Sequence, residues 1–405
     1  MTGDGMRLAF LTHEPFHPPS GGGSAEAVYL VEEFARRGHE VHVFSPAFES
    51  AAELGARMRV TFHPFAGWPM GRYARFRNVK YLLYPTALAR MVARAAARTR
   101  FDLLLSQHTI SAVAAGRLKR RLGVPVVMNF LDYLTGFMET WPAWTAPPPV
   151  VAALMRYELS LPRRFDADGV MTVSDTLAGC FADAGYPRER LRPIYYGYDA
   201  ELFKPASPGA AQPATPVVVM HGSFDQHHLQ HIAVEGVVRV ALARPETEFK
   251  FVGRETPTLV RFLAAVRARA PRVRLTTTGF VPYSEVASHL AGAAVGIIPY
   301  EESRGTHCAF VAKAVEYLGS GIPAVCTPLD NVRRYFADEP AVKFSGFDGA
   351  SFGAQILAWL DEPADSRAAL GLAASGRVKA ALDWRALSRR AADFVEQVHA
   401  RATGH

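Results

Sequence analysis

Short apolar runs alternate with helical patterns along most of this chain. An apolar run at 7–12 leads into the glycine-rich loop 20–24, helical periodicity follows at 27–34, and a second apolar run comes at 41–44. A strand, a helix and a second strand in this order form the unit from which parallel sheets are built. The sequence therefore predicts an α/β fold with parallel strands.

The strand–helix unit recurs in two series. Further strands of the first series are predicted at 103–105, 124–128 and 169–173. Strands of the second series are predicted at 217–222, 249–253, 273–276 and 295–298. Proline recurs through residues 204–216 between the two series, a composition typical of a linker.

We therefore expect two Rossmann-like domains that face a central cleft. The first is predicted at 1–205 and the second at 206–384, and the last helical segment, 385–405, is one that can pack back on the first domain. A chain of 405 residues is long enough for two hydrophobic cores of ordinary size.

Composition excludes several classes of protein. Hydrophobic residues make up 49% of the chain and charged residues 20%, which is typical of a soluble globular protein. No apolar run has membrane-spanning length and no signal-peptide segment precedes the first strand, so a cytoplasmic protein is expected. The scattered Cys180, Cys308 and Cys326 indicate neither a disulfide framework nor a zinc site.

The net charge of +7 is concentrated in segment 57–100, where every charged residue is basic. A solvated helical face with aromatic core residues explains this pattern as well as a functional surface does. The functional alternatives are an anionic acceptor site, peripheral contact with an anionic membrane, or nucleic acid. Nucleic acid is disfavoured because no binding motif accompanies the charge. The basic residues are Arg57, Arg59, Arg72, Arg75, Arg77, Lys80, Arg90, Arg94, Arg98 and Arg100.

The segment 313–325 is the most informative motif. It has a helical pattern that ends at Gly319 and Gly321, and a buried strand follows. The strand 295–299 and the loop 304–307 precede it. Helix N–H groups in such a position bind phosphates, and the carboxylate of Glu316 would reach ribose hydroxyls, so the segment predicts a site for a phosphorylated nucleoside. The alternative for Glu316 is an ordinary surface glutamate.

Other motifs occur in a fixed order on both sides of the linker. They are 21–23 (Gly-Gly-Gly), 37–41 (Arg-Gly-His-Glu-Val), 101–102 with His108, 167–170, 196–199 (Tyr-Gly-Tyr-Asp), 221–223 (His-Gly-Ser), 251–253, 278–281 and 313–325. With this order and spacing the chain resembles the GT-B glycosyltransferases, specifically the retaining, glycosyltransferase family 4-like group that includes sucrose, mannosyl and N-acetylglucosaminyl transferases.

The resemblance implies a nucleotide-sugar site in the second domain. Glu316 matches the second acid of a Glu-x7-Glu motif that holds the ribose. Backbone N–H groups of the loop at Phe310 and Val311 would meet the diphosphate, and Thr306 lies in the loop that precedes them and is also a candidate for donor binding. Lys313 matches a lysine of one subgroup of the family. Three roles stay open for it: pairing with Glu316, contact with phosphate, or simple solvation. Gly279, Phe280 and Val281 fall where the family holds the base through main-chain contacts.

For the first, acceptor-side domain the resemblance implies two features. Gly22 and Gly23 would let the backbone approach the donor phosphate and the reacting carbon. His108 matches a histidine near the transferred sugar and is our catalytic candidate. A histidine just after a strand is also compatible with a core position that is satisfied by hydrogen bonds.

Three positions depart from the family pattern. The first acid of the Glu-x7-Glu motif falls at Cys308, and a thiol is a weak acceptor for sugar hydroxyls. The basic pair that follows Gly222 in the family falls at Ser223 and His228. The substitutes available for the diphosphate are Arg304, His307, Lys313 and a protonated His228.

The resemblance implies a retaining, metal-independent transferase without a cofactor. It would move a hexose or deoxyhexose from a nucleoside-diphosphate sugar to a hydroxyl or amine of a small-molecule, glycan or lipid-linked acceptor. The histidines at 227, 228 and 231 lack an accompanying acid, so no metal site is predicted. The alternatives are a non-catalytic nucleotide-sugar-binding subunit and a sugar-nucleotide epimerase or hydrolase of the same fold.

Overall fold

The computed structural model describes residues 5–19, 22–66, 79–206 and 215–404, without the side chains of residues 79–82. The chain divides into two compact units. The first comprises Met1–Leu134, Ala152–Tyr195 and Arg385–His405, and the second comprises Thr135–Val151 and Tyr196–Trp384. Each unit is built on its own parallel sheet.

Within the described residues the first unit holds a seven-stranded sheet. Its strands are β1 (Arg7–Leu11), β2 (Glu40–Pro46), β3 (Thr61–Phe65), β4 (Leu103–Gln107), β5 (Val126–Phe130), β6 (Gly169–Thr172) and β7 (Leu191–Pro193). All neighbours pair in parallel in the order β3-β2-β1-β4-β5-β6-β7. The direction of strand addition reverses between β1 and β4, and ligands of doubly wound sheets bind beyond the carboxyl ends of the strands at such a reversal.

Helices accompany these strands as the strand–helix alternation predicts. They are α1 (Gly22–Arg36), α2 (Ala51–Met58), α3 (Val79–Ala96), α4 (His108–Leu122), α5 (Pro148–Arg164) and α6 (Asp175–Asp183). Local sequence sets their ends. Ser174 caps α6 by accepting from the Leu177 amide, and Gly123 ends α4 in the left-handed conformation with φ of 67°.

The second unit holds a six-stranded sheet, counted over the described residues. Its strands are β8 (Val217–His221), β9 (Glu248–Val252), β10 (Arg274–Thr277), β11 (Val295–Ile298), β12 (Ala324–Cys326) and β13 (Val342–Phe344). Their order is β10-β9-β8-β11-β12-β13, all parallel. Here the reversal lies between β8 and β11.

The helices of the second unit cover both faces of this sheet. They are α7 (His231–Ala243), α8 (Pro257–Arg269), α9 (Tyr283–Leu290), α10 (Arg304–Cys308), α11 (Ala312–Gly319), α12 (Asp330–Tyr335), α13 (Gly349–Asp361) and α14 (Ala364–Leu382), with a 3₁₀ helix at Gly136–Thr140. β11 and β12 are buried along their whole length, as expected for strands covered on both faces. Together the two sheets form two Rossmann-like domains.

The division of the chain differs from the predicted boundaries at two places. Thr135–Val151 belongs to the second unit, because its 3₁₀ helix lies against α10: the amide of Arg304 donates to Glu139 Oε2 at 2.8 Å, and the Phe137 ring stacks on His227 with centroids 4.4 Å apart. The segment from Tyr196 onward also belongs to the second unit, since Tyr198 exchanges backbone hydrogen bonds with Leu382 and Trp384.

The last helix, α15 (Trp384–Thr403), lies almost wholly in the first unit. Its Glu396 accepts from Arg37 Nη1 at 2.8 Å, and the Arg192 guanidinium lies 5.5 Å from the Phe394 ring centroid. The side chains of Phe394 and Val398 fill the space beside Gly169. The helix therefore returns the end of the chain to the outer strands β6 and β7.

The basic segment 57–100 is only partly described. Arg72, Arg75, Arg77 and the side chain of Lys80 lie outside the described residues, whereas the other basic residues of the segment are exposed arginines. Among the helices that the structure describes, none combines the length and the apolar character that a membrane crossing requires.

Two glycines of α14 give a matched test of its packing. A Cβ at Gly371 would overlap the backbone carbonyl of Gly321, whereas a Cβ at Gly376 would meet nothing within 4 Å. We expect Gly371→Ala to lower the free energy of unfolding of the second unit by about 1–3 kcal/mol through overpacking. Gly376→Ala should raise it by roughly 1 kcal/mol through helix propensity. Urea denaturation followed by circular dichroism measures both, and equal effects would contradict this packing.

Candidate functional site

The reversal point of the second sheet brings together the motifs singled out in its sequence. β8 ends at His221 and turns at Gly222 with φ of +99°, a conformation that favours glycine. Tyr300 follows β11, and α11 begins after Val311. Side chains of α11 reach the end of β8, and these contacts define the candidate site.

Glu316 is buried beside the end of β8. Its side chain is 6% exposed, and its Oε2 lies 2.5 Å from Nε2 of His221, whose side chain is 5% exposed. A surface glutamate, the alternative interpretation of this acid, is therefore excluded. A buried carboxylate needs a hydrogen-bonding partner, and His221 supplies it.

Lys313 places its ammonium group beside the Gly222 turn. Its Nζ would lie 3.0 Å from a Cβ at Gly222, and it donates to the Tyr300 hydroxyl at 3.1 Å. The side chain is buried, which excludes simple solvation. The ammonium therefore contacts Tyr300 and the Gly222 turn. The family pattern has its two basic residues just after this turn.

The first turn of α11 offers backbone donors. Val311 is the N-cap residue, and no side chain caps this end of the helix. The side chains of Phe310 and Val311 are buried, and Phe310 packs on Tyr335 with ring centroids 5.1 Å apart. The two side chains are thus used in packing, and no side chain caps the N–H groups at the start of this helix, a position that can bind an anion.

The loop before α11 is fixed by its own hydrogen bonds. Ser303 and Thr306 form a capping box at α10, and Thr306 Oγ1 donates to the carbonyl of Glu301 at 2.9 Å. The hydroxyl of Thr306 is therefore used within the fold. Cys308 is buried at the end of α10, where its carbonyl accepts from Asn331 Nδ2 at 3.2 Å.

The other proposed substitutes for the missing basic pair have their own partners. The backbone amide of Asp225 donates to Nδ1 of His228 at 3.0 Å, so that nitrogen carries a lone pair and the ring is neutral. His307 Nδ1 lies 3.2 Å from Asp330, and Arg304 pairs with Glu139 at 3.4 Å. Ser223 is half-buried and carries no charge.

The segment expected to hold a base follows β10. Gly279 has φ of +75° and its backbone forms a bridge with Gly253. Phe280 is exposed, its ring lies 5.1 Å from the guanidinium carbon of Arg254, and Val281 is half-buried. The structure thus presents one exposed aromatic face and main-chain groups here.

In the first unit, the reversal point carries His108. This first residue of α4 has a φ of 66°, and its Nε2 lies 3.6 Å from Glu14 Oε2. The His13 ring packs edge-on against it at 5.3 Å. A Cβ at Gly23 would lie 3.2 Å from His108 Nε2, so a larger residue there would crowd the imidazole, and Gly22 begins α1 just before it.

The electrostatic surroundings of His108 favour its charged form. Burial acts to lower the pKa of the imidazole, but the nearby carboxylates of Glu14, Asp132 and Glu26 raise it above its usual value overall. An imidazolium at this position is a hydrogen-bond donor at both ring nitrogens. His108 can therefore act on an electron-rich oxygen.

Sequence analysis missed a buried polar network beneath this site. Gln107 Nε2 donates to the carbonyl of Gly23 and to Glu26 Oε2, both at 2.9 Å, and Asn129 Nδ2 donates to Glu26 Oε1 at 2.9 Å. Burial raises the pKa of Glu26 above its usual value, against these amide hydrogen bonds. The sequence signal that could have revealed this network is Glu26 itself, an acid on the apolar face of α1 three residues after Gly23.

The residues missed in the second unit are His221 and Tyr300. Both end or follow a strand at the reversal point, which is the signal that could have identified them. Among the described residues no group of three or more His, Cys, Asp or Glu side chains is arranged to hold a metal ion. Metal independence stays a prediction.

Comparison with known proteins identifies the family of the chain. Residues 20–202 match the family model described as Glycosyltransferase Family 4, and residues 215–362 match that described as Glycosyl transferases group 1. A search of curated proteins finds no match. By fold this is a GT-B protein. The chain belongs to the glycosyltransferases of that fold, in the family 4-like group.

Solved structures show the same fold at low identity. Sucrose-phosphate synthase from Thermosynechococcus elongatus is 17% identical with a TM-score of 0.81, over 98% of this chain and 100% of that one. HepE from Anabaena in complex with UDP and glucose is 16% identical with a TM-score of 0.72, over 96% and 99%. Trehalose 6-phosphate synthase from Burkholderia multivorans is 14% identical with a TM-score of 0.70, over 99% and 100%.

The charge on His108 gives a test of the first site. Glu14→Gln removes one of the carboxylates that raise the pKa of His108, so that pKa should fall and the imidazole should lose its proton at a lower pH. NMR titration of ¹³C-labelled histidines measures the change, with the His108 resonance assigned by its loss in His108→Asn. Glu189→Gln, on an exposed 3₁₀ helix, is the control and should leave the titration unchanged. An unchanged pKa in Glu14→Gln would contradict the electrostatic account.

Proposed function

We propose that this protein transfers a sugar, with retention of anomeric configuration and without a metal, from a nucleoside-diphosphate sugar to an acceptor hydroxyl or amine. The single observation that carries the proposal is that a buried carboxylate, Glu316, and a buried ammonium, Lys313, both lie at the end of β8 with different partners. A ribose diol and a diphosphate are the groups that such a pair complements. HepE, a protein of the same fold, was crystallised with UDP-glucose, which supports this donor class.

The proposed chemistry begins with departure of the diphosphate. The N–H groups at the start of α11 and the Lys313 ammonium stabilise the negative charge that develops on the leaving group. The acceptor then attacks the oxocarbenium-like sugar from the face that the diphosphate leaves, which retains the configuration. His108, whose neighbouring carboxylates raise the pKa of its imidazole, donates a hydrogen bond to the transferred sugar in this proposal.

The donor sugar is proposed to be a hexose or a deoxyhexose. The buried thiol of Cys308 replaces the carboxylate that holds sugar hydroxyls in the family. A deoxyhexose has fewer hydroxyls, so its binding would depend less on that missing carboxylate than the binding of a hexose would. The acceptor is proposed to be a small molecule, a glycan or a lipid-linked glycan. Exposed arginines of segment 57–100 would favour an anionic acceptor or contact with an anionic membrane from the cytoplasmic side.

One observation favours a second candidate, a non-catalytic subunit that binds nucleotide sugars. The neutral His228, the uncharged Ser223 and the buried Cys308 all stand where the family places charged donor contacts. A binding subunit would hold the nucleotide and release no product. Turnover therefore separates the two candidates.

The proposed function is tested by a donor screen. UDP-, GDP-, ADP- and TDP-linked sugars are incubated with the protein and an acceptor extract, and mass spectrometry detects the glycosylated product. NMR of the anomeric proton then gives the stereochemistry. A product of inverted configuration would contradict the retaining mechanism, and binding without product would favour the non-catalytic subunit.

Lys313 makes a specific prediction about the phosphates. Lys313→Met should weaken binding of the preferred nucleoside diphosphate about 10- to 100-fold, because a charge-assisted contact contributes about 1.5–3 kcal/mol. Binding of the free nucleoside should not change. Lys343→Met, which removes an ammonium 4.4 Å from the Trp359 ring in the same unit, is the matched control and should leave both affinities unchanged. Calorimetry measures the affinity of each variant for the nucleoside and for the nucleoside diphosphate. If Lys313→Met lost the same affinity for both ligands, a role of Lys313 in phosphate binding would be contradicted.

A further inference from the structure

His221 makes a contact that the family resemblance does not assign. It is the last residue of β8, and its Nε2 lies 2.5 Å from Glu316 Oε2 on α11. Both residues are buried, so water does not compete for this hydrogen bond. The end of the strand and the middle of the helix are thus joined by one polar contact.

Tyr317 contacts both the backbone and the ring of His221. Its backbone amide donates to the Tyr317 hydroxyl at 3.2 Å, and its ring packs edge-on against the Tyr317 ring at 4.9 Å. Nδ1 is buried and, within the described residues, has no hydrogen-bond partner. The tautomer with its hydrogen on Nε2 donates to Glu316 and leaves only a lone pair at Nδ1.

This contact determines which carboxylate oxygen is available. Oε2 of Glu316 accepts from His221, and among the described residues no hydrogen bond to Oε1 is found. The terminal torsion of a glutamate is broad, so a carboxylate without such a partner can rotate. His221 therefore removes rotational freedom from Glu316 and leaves one oxygen for a ligand.

We propose that His221 is a positioning residue for the donor ribose: it holds Oε2 of Glu316 so that Oε1 accepts hydrogen bonds from the ribose diol. The inference rests on the proposed nucleotide-sugar function and deepens it. It assigns the preference for ribose over dideoxyribose to His221 and Glu316 together, rather than to Glu316 alone. It also accounts for a histidine at a strand end that is covered by α11.

The test compares ribose with a sugar that lacks its hydroxyls. Calorimetry measures the affinity of the wild type for UDP, GDP and ADP, and for the 2′,3′-dideoxy analogue of the one that binds best. Hydrogen bonds to a charged group make a difference of about 10- to 100-fold in favour of the ribose form. This ratio of affinities reports on the diol contact and cancels effects on the base and phosphates.

Two substitutions of His221 separate positioning from packing. His221→Gln keeps an N–H donor within similar reach of Glu316, so the ratio should stay within about twofold of the wild type. His221→Leu removes the donor, so the ratio should fall to about threefold or less while the affinity for the dideoxy analogue stays unchanged. Thr247→Val, a buried polar-to-apolar change in the same unit whose Oγ1 has no partner within the described residues, is the matched control and should not change the ratio.

Each other outcome overturns the inference. If His221→Leu discriminates ribose as the wild type does, Glu316 needs no positioning. If it weakens both ligands equally, the role of His221 is structural. If His221→Gln behaves like His221→Leu, the N–H donor is not what matters. A wild type that binds no nucleoside diphosphate would instead refute the proposed function itself, before any variant is measured.

Discussion

The buried hydrogen bond between His221 and Glu316 is the interaction on which the candidate donor site depends. It links α11 to β8, and the same helix carries Lys313 to the Gly222 turn. A carboxylate and an ammonium three residues apart on one helix often pair with each other. Here the carboxylate pairs with His221 and the ammonium with Tyr300, so each keeps a different position at the strand ends.

This separation explains how the second unit can lack the family's basic pair. Ser223 contributes no charge and His228 is neutral, because a backbone amide donates to its Nδ1. A single lysine held in a buried position loses less side-chain entropy on binding than two flexible surface cations would. Binding of an anion at this site would therefore depend more on the position of the Lys313 charge than on the number of basic residues.

Most of the strands and the two parallel sheets follow from sequence, because apolar periodicity and glycine positions are local signals. The edge strands β3, β7 and β13 and the position of Lys313 at the Gly222 turn were not predicted. The assignment of Thr135–Val151 to the second unit does not, since it depends on the stacking of Phe137 on His227 and on the Glu139 contact with α10. The partners of His221 and Glu26 were also not predictable. Both contacts join residues 81 or more positions apart, and only the fold brings them together.

The two reversal points use the same topology with opposite electrostatics. In the first unit, carboxylates at Glu14, Glu26 and Asp132 surround His108 and raise its pKa. In the second unit, Lys313 and uncapped helix N–H groups lie at the strand ends. The second arrangement, with its ammonium and N–H donors, is the one that would attract a diphosphate. The charge distribution thus favours the second unit for the proposed nucleotide, whereas in the first unit the nearby carboxylates favour the protonated form of His108.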